Sequence, residues 1–180
     1  MTKVAVIVGS LRKGSFNRQL AEALTKLAAP RLELEIVEIG DLPLYNQDDE
    51  GELPAPVARF KGQIEAADAV LFVTPEFNRS FSAALKNAVE WGSRPWGKNS
   101  WMGKPGAIVG ATPGAVGTAA GQSQLRNVAQ AIGIALMVHP EIYLSYREGQ
   151  FSGANVTDDG LAQLLNGWVD SFADWIKRLS

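Results

Sequence analysis

The sequence predicts an α/β fold, in which a parallel sheet of five strands carries helices on both faces. Short apolar runs of strand length alternate with longer segments whose apolar residues recur at helical spacing. This alternation is typical of parallel strands joined by right-handed helical crossovers. A length of 180 residues suffices for one domain with a sizeable core, and we find no repeat or linker. We therefore expect one domain over residues 1–180.

Five apolar runs are predicted to be strands. Two are continuously apolar, as the buried central strands of parallel sheets are. One alternates apolar and acidic residues, which places it nearer an edge of the sheet. The last contains Pro140, where we expect a distortion. In chain order the runs are residues 4–8, 32–39, 69–73, 107–111, and 135–138 together with 142–144.

A helix is predicted after each strand, because apolar residues recur there three or four positions apart. The residues that mark the five helices are Phe16, Leu20, Leu24 and Leu27; Val57, Phe60, Ile64 and Ala67; Phe81, Leu85, Ala88 and Val89; Leu125, Val128 and Ile132; and Leu161, Leu165, Trp168, Phe172, Trp175 and Leu179. This pattern favours a flavodoxin-like three-layer α/β/α sandwich with strand order 2-1-3-4-5. Ligands of such folds bind outside the carboxyl ends of the strands, beside strand one.

Composition excludes several classes of function. The formal charge is −2, from 17 basic and 19 acidic residues, which argues against a nucleic-acid partner. No segment approaches the ~20 apolar residues of a membrane-spanning helix, so no membrane insertion is expected. The absence of cysteine excludes thiolate metal sites and a cysteine nucleophile, and it fits a cytoplasmic protein. One histidine cannot form a three-histidine site, and we expect no metal.

The loop after the first strand, residues 9–17, reads Gly-Ser-Leu-Arg-Lys-Gly-Ser-Phe-Asn. The start of a helix carries partial positive charge and normally attracts acids, yet Arg12, Lys13 and Arg18 lie here without one. A bound phosphate would reverse the local charge and explain the cations, since exposed N–H groups at a helix start bind anions. The alternative is a turn capped by Ser15 with solvated cations.

Two further loops follow strands three and four. Residues 74–78 read Thr-Pro-Glu-Phe-Asn and offer backbone amides, an amide side chain and an aromatic ring; Ser80 or Ser82 is expected to cap the next helix. Residues 110–121 contain four glycines, so that backbone groups are the main recognition groups. Alternatively, the first is only a capped turn and the second a flexible connection. Together the three loops predict a crevice for a phosphorylated, flat ligand, and FMN is the best candidate.

Residues 92–104 form another long polar loop, which we expect near the carboxyl edge of the sheet. Trp96 and Trp101 lie in it. They either line the pocket for an electron acceptor or are buried against a second subunit.

The motifs in the loops after strands one and three resemble those of the NADPH-dependent FMN reductase family, in particular its quinone and chromate reductases. Residues 9–17 match a Gly-Ser-Leu/Ile-Arg-x-x-Ser-x-Asn pattern, and residues 75–88 match a Pro-Glu-Tyr-Asn pattern that continues into Leu-Lys-Asn-Ala. Asp-Leu-Pro-Leu-Tyr-Asn at 41–46 and Gly-Lys-Pro at 103–105 are also similar. The chain departs from the family at Phe77, Ser82 and Ala120, where Tyr, Pro and Arg are common.

The resemblance implies specific cofactor-binding residues. The FMN phosphate and ribityl chain are implied to contact Ser10, Arg12, Ser15, Phe16 and Asn17; the isoalloxazine is implied to contact Pro75, Glu76, Phe77 and Asn78, with Ala111, Thr112, Pro113 and Gly114 at its pyrimidine edge. No protein side chain is implied to be catalytic, since FMN carries the chemistry.

The resemblance also implies the reaction. Hydride passes from NADPH or NADH through bound FMN to quinones, chromate, azo compounds or free flavin, in a homodimer or homotetramer. A flavodoxin-type electron carrier is the alternative, although a charge of −2 and the cations near the site disfavour it. A receiver-type signalling domain shares the strand order but requires acids where this chain has Gly9, Ser10, Thr74 and Pro75.

Overall fold

The predicted strands and helices are all present in the structure, a computed structural model that describes residues 1–180. The strands are β1 Thr2–Val8, β2 Leu32–Val37, β3 Ala69–Val73, β4 Pro105–Thr112, β5 Ala135–Leu136, β6 Ile142–Ser145, β7 Phe151–Ser152 and β8 Asn155–Val156. The helices are α1 Phe16–Ala28, α2 Ala55–Ala66, α3 Ala83–Ser93, α4 Ala119–Ala131 and α5 Asp159–Leu179, with a 3-10 turn at Gln47–Glu50.

The sheet has the order β2-β1-β3-β4-β5, which confirms the predicted topology. β5 and β6 share the fifth position, because both pair in parallel with β4: β5 with its start and β6 with residues 109–112. The predicted interruption of the fifth strand is therefore confirmed. The antiparallel hairpin of β7 and β8 lies outside this sheet and was not predicted.

The core has two halves, one on each face of the sheet. Alternate β1 residues serve them: Val4, Val6 and Val8 join the half that includes α1 and α5, whereas Ala5 and Ile7 join the half that includes α2, α3 and α4. Continuously apolar central strands arise because both faces are covered. No helix combines the length and the apolar character needed to cross a membrane.

The expected position of the 92–104 loop was wrong. This loop connects the end of α3 to the start of β4, and it therefore lies at the amino edge of the sheet, where the strands begin. Trp101 is fully buried against Phe60 and Phe72, at ring-centroid distances of 5.8 and 5.5 Å. Gly92 permits this packing, since a Cβ there would lie 2.3 Å from the indole ring. Trp96, by contrast, is 89% exposed.

A buried lysine fixes the same loop. Lys61 of α2 donates to the carbonyl oxygens of Gly92 and Lys98 and to the Ser100 hydroxyl, at 3.2, 2.8 and 2.8 Å. The Ser100 hydroxyl donates in turn to Glu65 at 2.7 Å. Burial lowers the pKa of Lys61, because removal from water disfavours the charged form. All three ammonium hydrogens thus have acceptors within the fold.

Candidate functional site

A cleft of about 290 Å³ lies at the carboxyl edge of the sheet, where the loops after β1, β3 and β4 meet. Ten of the thirteen residues that the sequence singled out line it. They are Ser10, Arg12, Phe16, Asn17, Pro75, Glu76, Phe77, Ala111, Thr112 and Pro113. No other residue lines this cleft, so three segments distant in sequence form the expected crevice.

The other three predicted residues lie beside the cleft rather than on its wall. Ser15 is buried and caps α1, since its hydroxyl accepts from the Arg18 N–H at 3.2 Å. Asn78 adopts a positive φ of 50° in the tight turn after β3. The Gly114 carbonyl accepts a hydrogen bond of 3.0 Å from the Ser145 hydroxyl. These residues shape the loops that form the walls.

One end of the cleft is cationic. The Arg12 guanidinium lies over the Phe16 ring, 4.7 Å from its centroid, and donates to the Gly14 carbonyl at 2.9 Å. Gly14 turns the loop with a φ of +66°, which a residue with a side chain rarely adopts. Arg18 is paired with Glu22 at 3.0 Å, whereas Arg12 keeps donors free for an anion. The first turn of α1 contains no acid.

The backbone adds donors at the same end. The first i to i−4 bond of α1 runs from the Gln19 N–H to the Ser15 carbonyl. The N–H groups of Phe16 and Asn17 therefore precede the hydrogen-bond ladder of the helix. Such groups form an anion site together with the helix dipole.

A larger cleft of about 690 Å³ lies on the β2 side of the same loop. Ser10 and Arg12 line both clefts, while Lys13 and Arg18 line only the larger one, opposite Glu38. The loop of residues 10–14 thus separates the two spaces, and Arg12 borders each of them.

Asn17 joins two walls of the cleft. Its side-chain amide donates to the Ala111 carbonyl and accepts from the Ala111 N–H, both at 2.9 Å. This pair of hydrogen bonds attaches the first turn of α1 to the end of β4, with one bond donated and one accepted as between paired strands. The last residue of the motif at 9–17 thus has a structural task that spacing alone did not reveal.

Glu76 joins the loop after β3 to the start of α4. Its carboxylate accepts from the Gly121 N–H at 3.0 Å, and its side chain is only 9% exposed. Gly121 lies in the first turn of α4, whose N-cap residue Thr118 makes no side-chain capping bond. A carboxylate at this position stabilises the helix dipole, so Glu76 caps a helix distant in sequence. Exposed Arg79 lies 3.5 Å from the same carboxylate.

Ser82, where the family commonly has proline, caps α3 and holds the first loop. Its hydroxyl accepts from the Leu85 N–H at 3.2 Å and donates to the Gly9 carbonyl at 2.6 Å. A Cβ at Gly9 would lie 2.8 Å from this hydroxyl, so the two loops approach closely only because residue 9 is glycine. Of the two serines that could cap this helix, the structure selects Ser82.

The glycine-rich loop is held in a strained conformation. Thr118 is fully buried and has a φ of 72°, which is rare for a β-branched residue. Gln122 supports it by donating to the Thr118 hydroxyl at 2.9 Å and to the Ile142 carbonyl at 2.7 Å. The Gln122 Oε1 is buried without a partner. The end of this loop that leads into α4 is therefore held by side-chain hydrogen bonds.

Sequence reasoning missed one segment at the carboxyl edge, the one that follows β6. The Tyr146 N–H donates to the Thr112 carbonyl at 2.8 Å, and the Tyr146 ring stacks on Phe16 with centroids 3.9 Å apart. Distinctive residues were sought after the central strands but not after the interrupted fifth strand. The position of Tyr146 directly after that strand was the available signal.

The residues present fit FMN. Guanidinium, hydroxyl and helix N–H donors suit a phosphate at one end of the cleft. Pro75, Phe77 and Pro113 give the other end apolar surfaces, and Phe77 is 59% exposed. This donor set matches a phosphorylated chain that ends in a flat ring. The structure contains no group of three or more His, Cys, Asp or Glu side chains placed to hold a metal ion.

Comparisons with known proteins agree with this geometry. Residues 2–149 match the family model described as NADPH-dependent FMN reductase. The chain is 47% identical over 176 residues to the 2-hydroxy-1,4-benzoquinone reductase of Burkholderia sp., covering 97% of this chain and 96% of that protein.

Solved structures give the same result. FerB, a flavoenzyme NAD(P)H:(acceptor) oxidoreductase from Paracoccus denitrificans, superposes with a TM-score of 0.96 at 46% identity, covering 99% of this chain and 98% of that one. A flavodoxin from Pseudomonas aeruginosa, 22% identical, superposes with a TM-score of 0.60 over 98% and 99% of the two chains, and this likeness shows the shared fold alone. By its family-model match and its close relatives, the chain belongs to the NADPH-dependent FMN reductase family.

Proposed function

We propose that this protein is an FMN-dependent NAD(P)H oxidoreductase that reduces quinones. The carrying observation is the cleft at the carboxyl edge, lined by ten residues from three loops, with cationic donors at one end and apolar surfaces at the other. The relatives named as quinone reductases support the same acceptor class. Bound FMN supplies acceptance and donation of hydride.

The protein's own residues would bind and orient the cofactor. Ser10, Arg12 and the first-turn N–H groups of α1 would hold the phosphate, where charge-assisted bonds are strong. Asn17 would keep the phosphate loop in register with β4 through its two bonds to Ala111. Phe77, largely exposed, would border a ring face that a nicotinamide or a quinone can stack upon.

No side chain of the cleft is assigned a proton-transfer role. Glu76 is the only carboxylate that lines it, and this carboxylate is bonded to the Gly121 N–H. Its role is to hold the loop after β3 against the start of α4. The N–H groups of the loop after β4 would stabilise negative charge at the pyrimidine edge.

The electron-carrier alternative shares the fold and the cofactor, so a catalytic assay must distinguish it. The FMN-loaded protein should oxidise NADPH or NADH continuously when a benzoquinone is present. Since one open cleft would serve both substrates in turn, double-reciprocal plots at several quinone concentrations should be parallel. A yellow protein that shows no quinone-dependent turnover with either nicotinamide would be a carrier and would refute the enzyme proposal.

Other features of the reaction are also proposals. Chromate, azo compounds and free flavin would be further acceptors, because an open stacking surface selects weakly among planar or small oxidants.

Exposed apolar side chains at the carboxyl edge, namely Leu11, Leu44 and Phe77, would be covered in a homodimer or homotetramer. Light scattering of the FMN-loaded protein measures the assembly, and a monomer at all concentrations would exclude both. A cytoplasmic location stays a prediction from the sequence.

A further inference from the structure

Four side chains form a continuous stack from the phosphate loop to the β7–β8 hairpin. The Arg12 guanidinium lies over Phe16, the Phe16 and Tyr146 centroids are 3.9 Å apart at an interplanar angle of 27°, and Tyr146 is parallel to Phe151 within 4° at 6.0 Å. Both the Arg12 guanidinium and the Tyr146 ring pack on the Phe16 ring. Phe16 therefore links Arg12 to Tyr146.

We propose that Tyr146 is a positioning residue for the phosphate contact of Arg12, acting through the Phe16 ring. The proposal rests on the proposed function, in which Arg12 binds the FMN phosphate. Neither the sequence motifs nor the lining of the cleft includes Tyr146. Its effect would reach the cofactor through one intervening ring.

The guanidinium of Arg12 is positioned before any ligand binds. Arg12 is exposed, and an exposed arginine loses considerable rotamer entropy when it is held in one place. Contact with the Phe16 ring restricts the position of the guanidinium, and the bond to the Gly14 carbonyl uses one donor. The remaining donors are thus oriented before an anion arrives, which reduces the entropy lost on binding.

The Phe16 ring is in turn supported by Tyr146. Phe16 lies at the first position of α1, is only partly buried, and packs at the margin of the core, so the core fixes it only in part. Tyr146 stacks on the same ring that Arg12 contacts. Tyr146 is held by its N–H bond to the Thr112 carbonyl, by its hydroxyl bond of 3.2 Å to Gln19, and by Phe151. The orientation of Arg12 thus depends on a residue attached to the opposite wall of the cleft.

The test compares FMN with riboflavin, which has the same ring and chain but no phosphate. Dissociation constants come from quenching of flavin fluorescence in the purified protein. Tyr146→Ala should raise the FMN constant about threefold to tenfold, the factor expected for loss of an aromatic pair. The riboflavin constant should change little, because riboflavin makes no phosphate contact. Tyr146→Leu, which keeps apolar volume without a ring, should behave in the same way and serves if the alanine variant does not fold.

Two variants serve as controls. Tyr146→Phe keeps the ring and should retain wild-type affinity for both flavins. Tyr143→Ala makes the same deletion on β6 at a residue outside the stack and should change neither constant. A second readout needs no flavin: the Arg12 Nε–H proton should show a ring-current shift from Phe16 in the wild type and in Tyr146→Phe, and a smaller one in Tyr146→Ala, where the Phe16 ring loses its support.

The outcomes separate this proposal from the proposed function. Wild-type protein that binds FMN, together with ring-deletion variants that lose FMN and riboflavin equally or lose neither, overturns the role of Tyr146 and leaves the function intact. Wild-type protein that does not bind FMN overturns both. Loss of FMN affinity alone, restored in Tyr146→Phe, supports the proposal.

Discussion

At the amino edge of the sheet, the 94–104 loop buries Trp101 and supplies acceptors for Lys61; at the carboxyl edge, the loops after β1 and β3 leave Arg12 and Phe77 exposed. Both regions contain glycines, aromatic residues and cations. The difference lies in whether their hydrogen-bonding and apolar groups are satisfied within the fold. Lys61 uses all its donors internally, whereas Arg12 uses one and retains the others.

Residue types alone therefore do not distinguish a packed loop from a binding loop. A packed loop loses stability when an aromatic residue or a cation is removed, because a cavity or unpaired acceptors remain. The same substitution in a binding loop lowers the affinity for the ligand instead. Substitutions at the two edges should therefore separate stability from binding.

The largest effect is expected for Trp101→Ala. Deleting this fully buried indole should lower the free energy of unfolding by about 3–5 kcal/mol, as for other large-to-alanine core changes. Urea denaturation measures it. Trp96→Ala, in the same loop at an 89% exposed position, should change stability by less than about 0.5 kcal/mol. Equal losses in the two variants would contradict the assignment of Trp101 to the core.

Lys61→Met should lower the free energy of unfolding at neutral pH by about 2 kcal/mol, since two carbonyls and a hydroxyl lose their donor. FMN affinity of the folded variant should not change. Lys98→Met, at an exposed lysine of the same loop, is the matched control. Weakened FMN binding by Lys61→Met alone would show that the two edges are coupled.

The pH dependence of the free energy of unfolding provides a further test of Lys61. Burial lowers the pKa of Lys61 below its ordinary value of 10.5, so between these two values the unfolded chain binds more protons than the folded one. This residue's contribution to stability therefore rises with pH in that window. The difference between the wild type and Lys61→Met should widen as pH increases towards 10.5. A constant difference across this range would contradict the lowered pKa.

Arg12→Ala should act on binding instead. Loss of a charge-assisted phosphate bond, worth about 1.5–3 kcal/mol, should raise the FMN dissociation constant roughly 10- to 100-fold with little change in the urea midpoint. Flavin fluorescence and denaturation measure the two quantities. Lys13→Ala removes a neighbouring cation that lines only the larger cleft, so its effect should be smaller and should fade at high salt. Unchanged FMN affinity in folded Arg12→Ala would remove Arg12 from the site.

The smallest effect is expected for Glu76→Gln. Glutamine keeps an acceptor for the Gly121 N–H but removes the charge at the start of α4, which should cost about 0.5–1 kcal/mol of stability. Thermal and urea unfolding detect such a change. Glu52→Gln, at an exposed loop position, provides the control. A Glu76→Gln protein as stable as the wild type would show that the charge does not contribute to capping.

Much of the fold could be predicted because its signals are local. The apolar run Ala69–Val73 matches β3 at both ends, and Ser15 caps α1 as its position before the helical pattern suggested. The cleft was predicted because parallel strands end at one edge. Ten residues of three loops then had to lie close together whatever the details of their side chains.

The rest depends on contacts between distant segments, which no local pattern encodes. The carboxylate of Glu76 faces α4, and Asn17 bonds to Ala111 across 94 positions of sequence. The position of the loop that carries Trp96 and Trp101, by contrast, could have been predicted. The predicted topology already required a helix-to-strand loop to lie at the amino edge of the sheet. That error came from residue type being given more weight than connectivity.

The pairing of Asn17 with Ala111 has a consequence for chemical ageing. One side-chain atom must donate and the other must accept, so the contact tolerates no exchange of nitrogen for oxygen. Spontaneous deamidation of Asn17 would set a carboxylate oxygen against the Ala111 carbonyl. That reaction needs the Arg18 backbone nitrogen to attack the Asn17 amide, and the helix holds this N–H on the Ser15 hydroxyl. The cap that begins α1 therefore also protects the contact that deamidation would break.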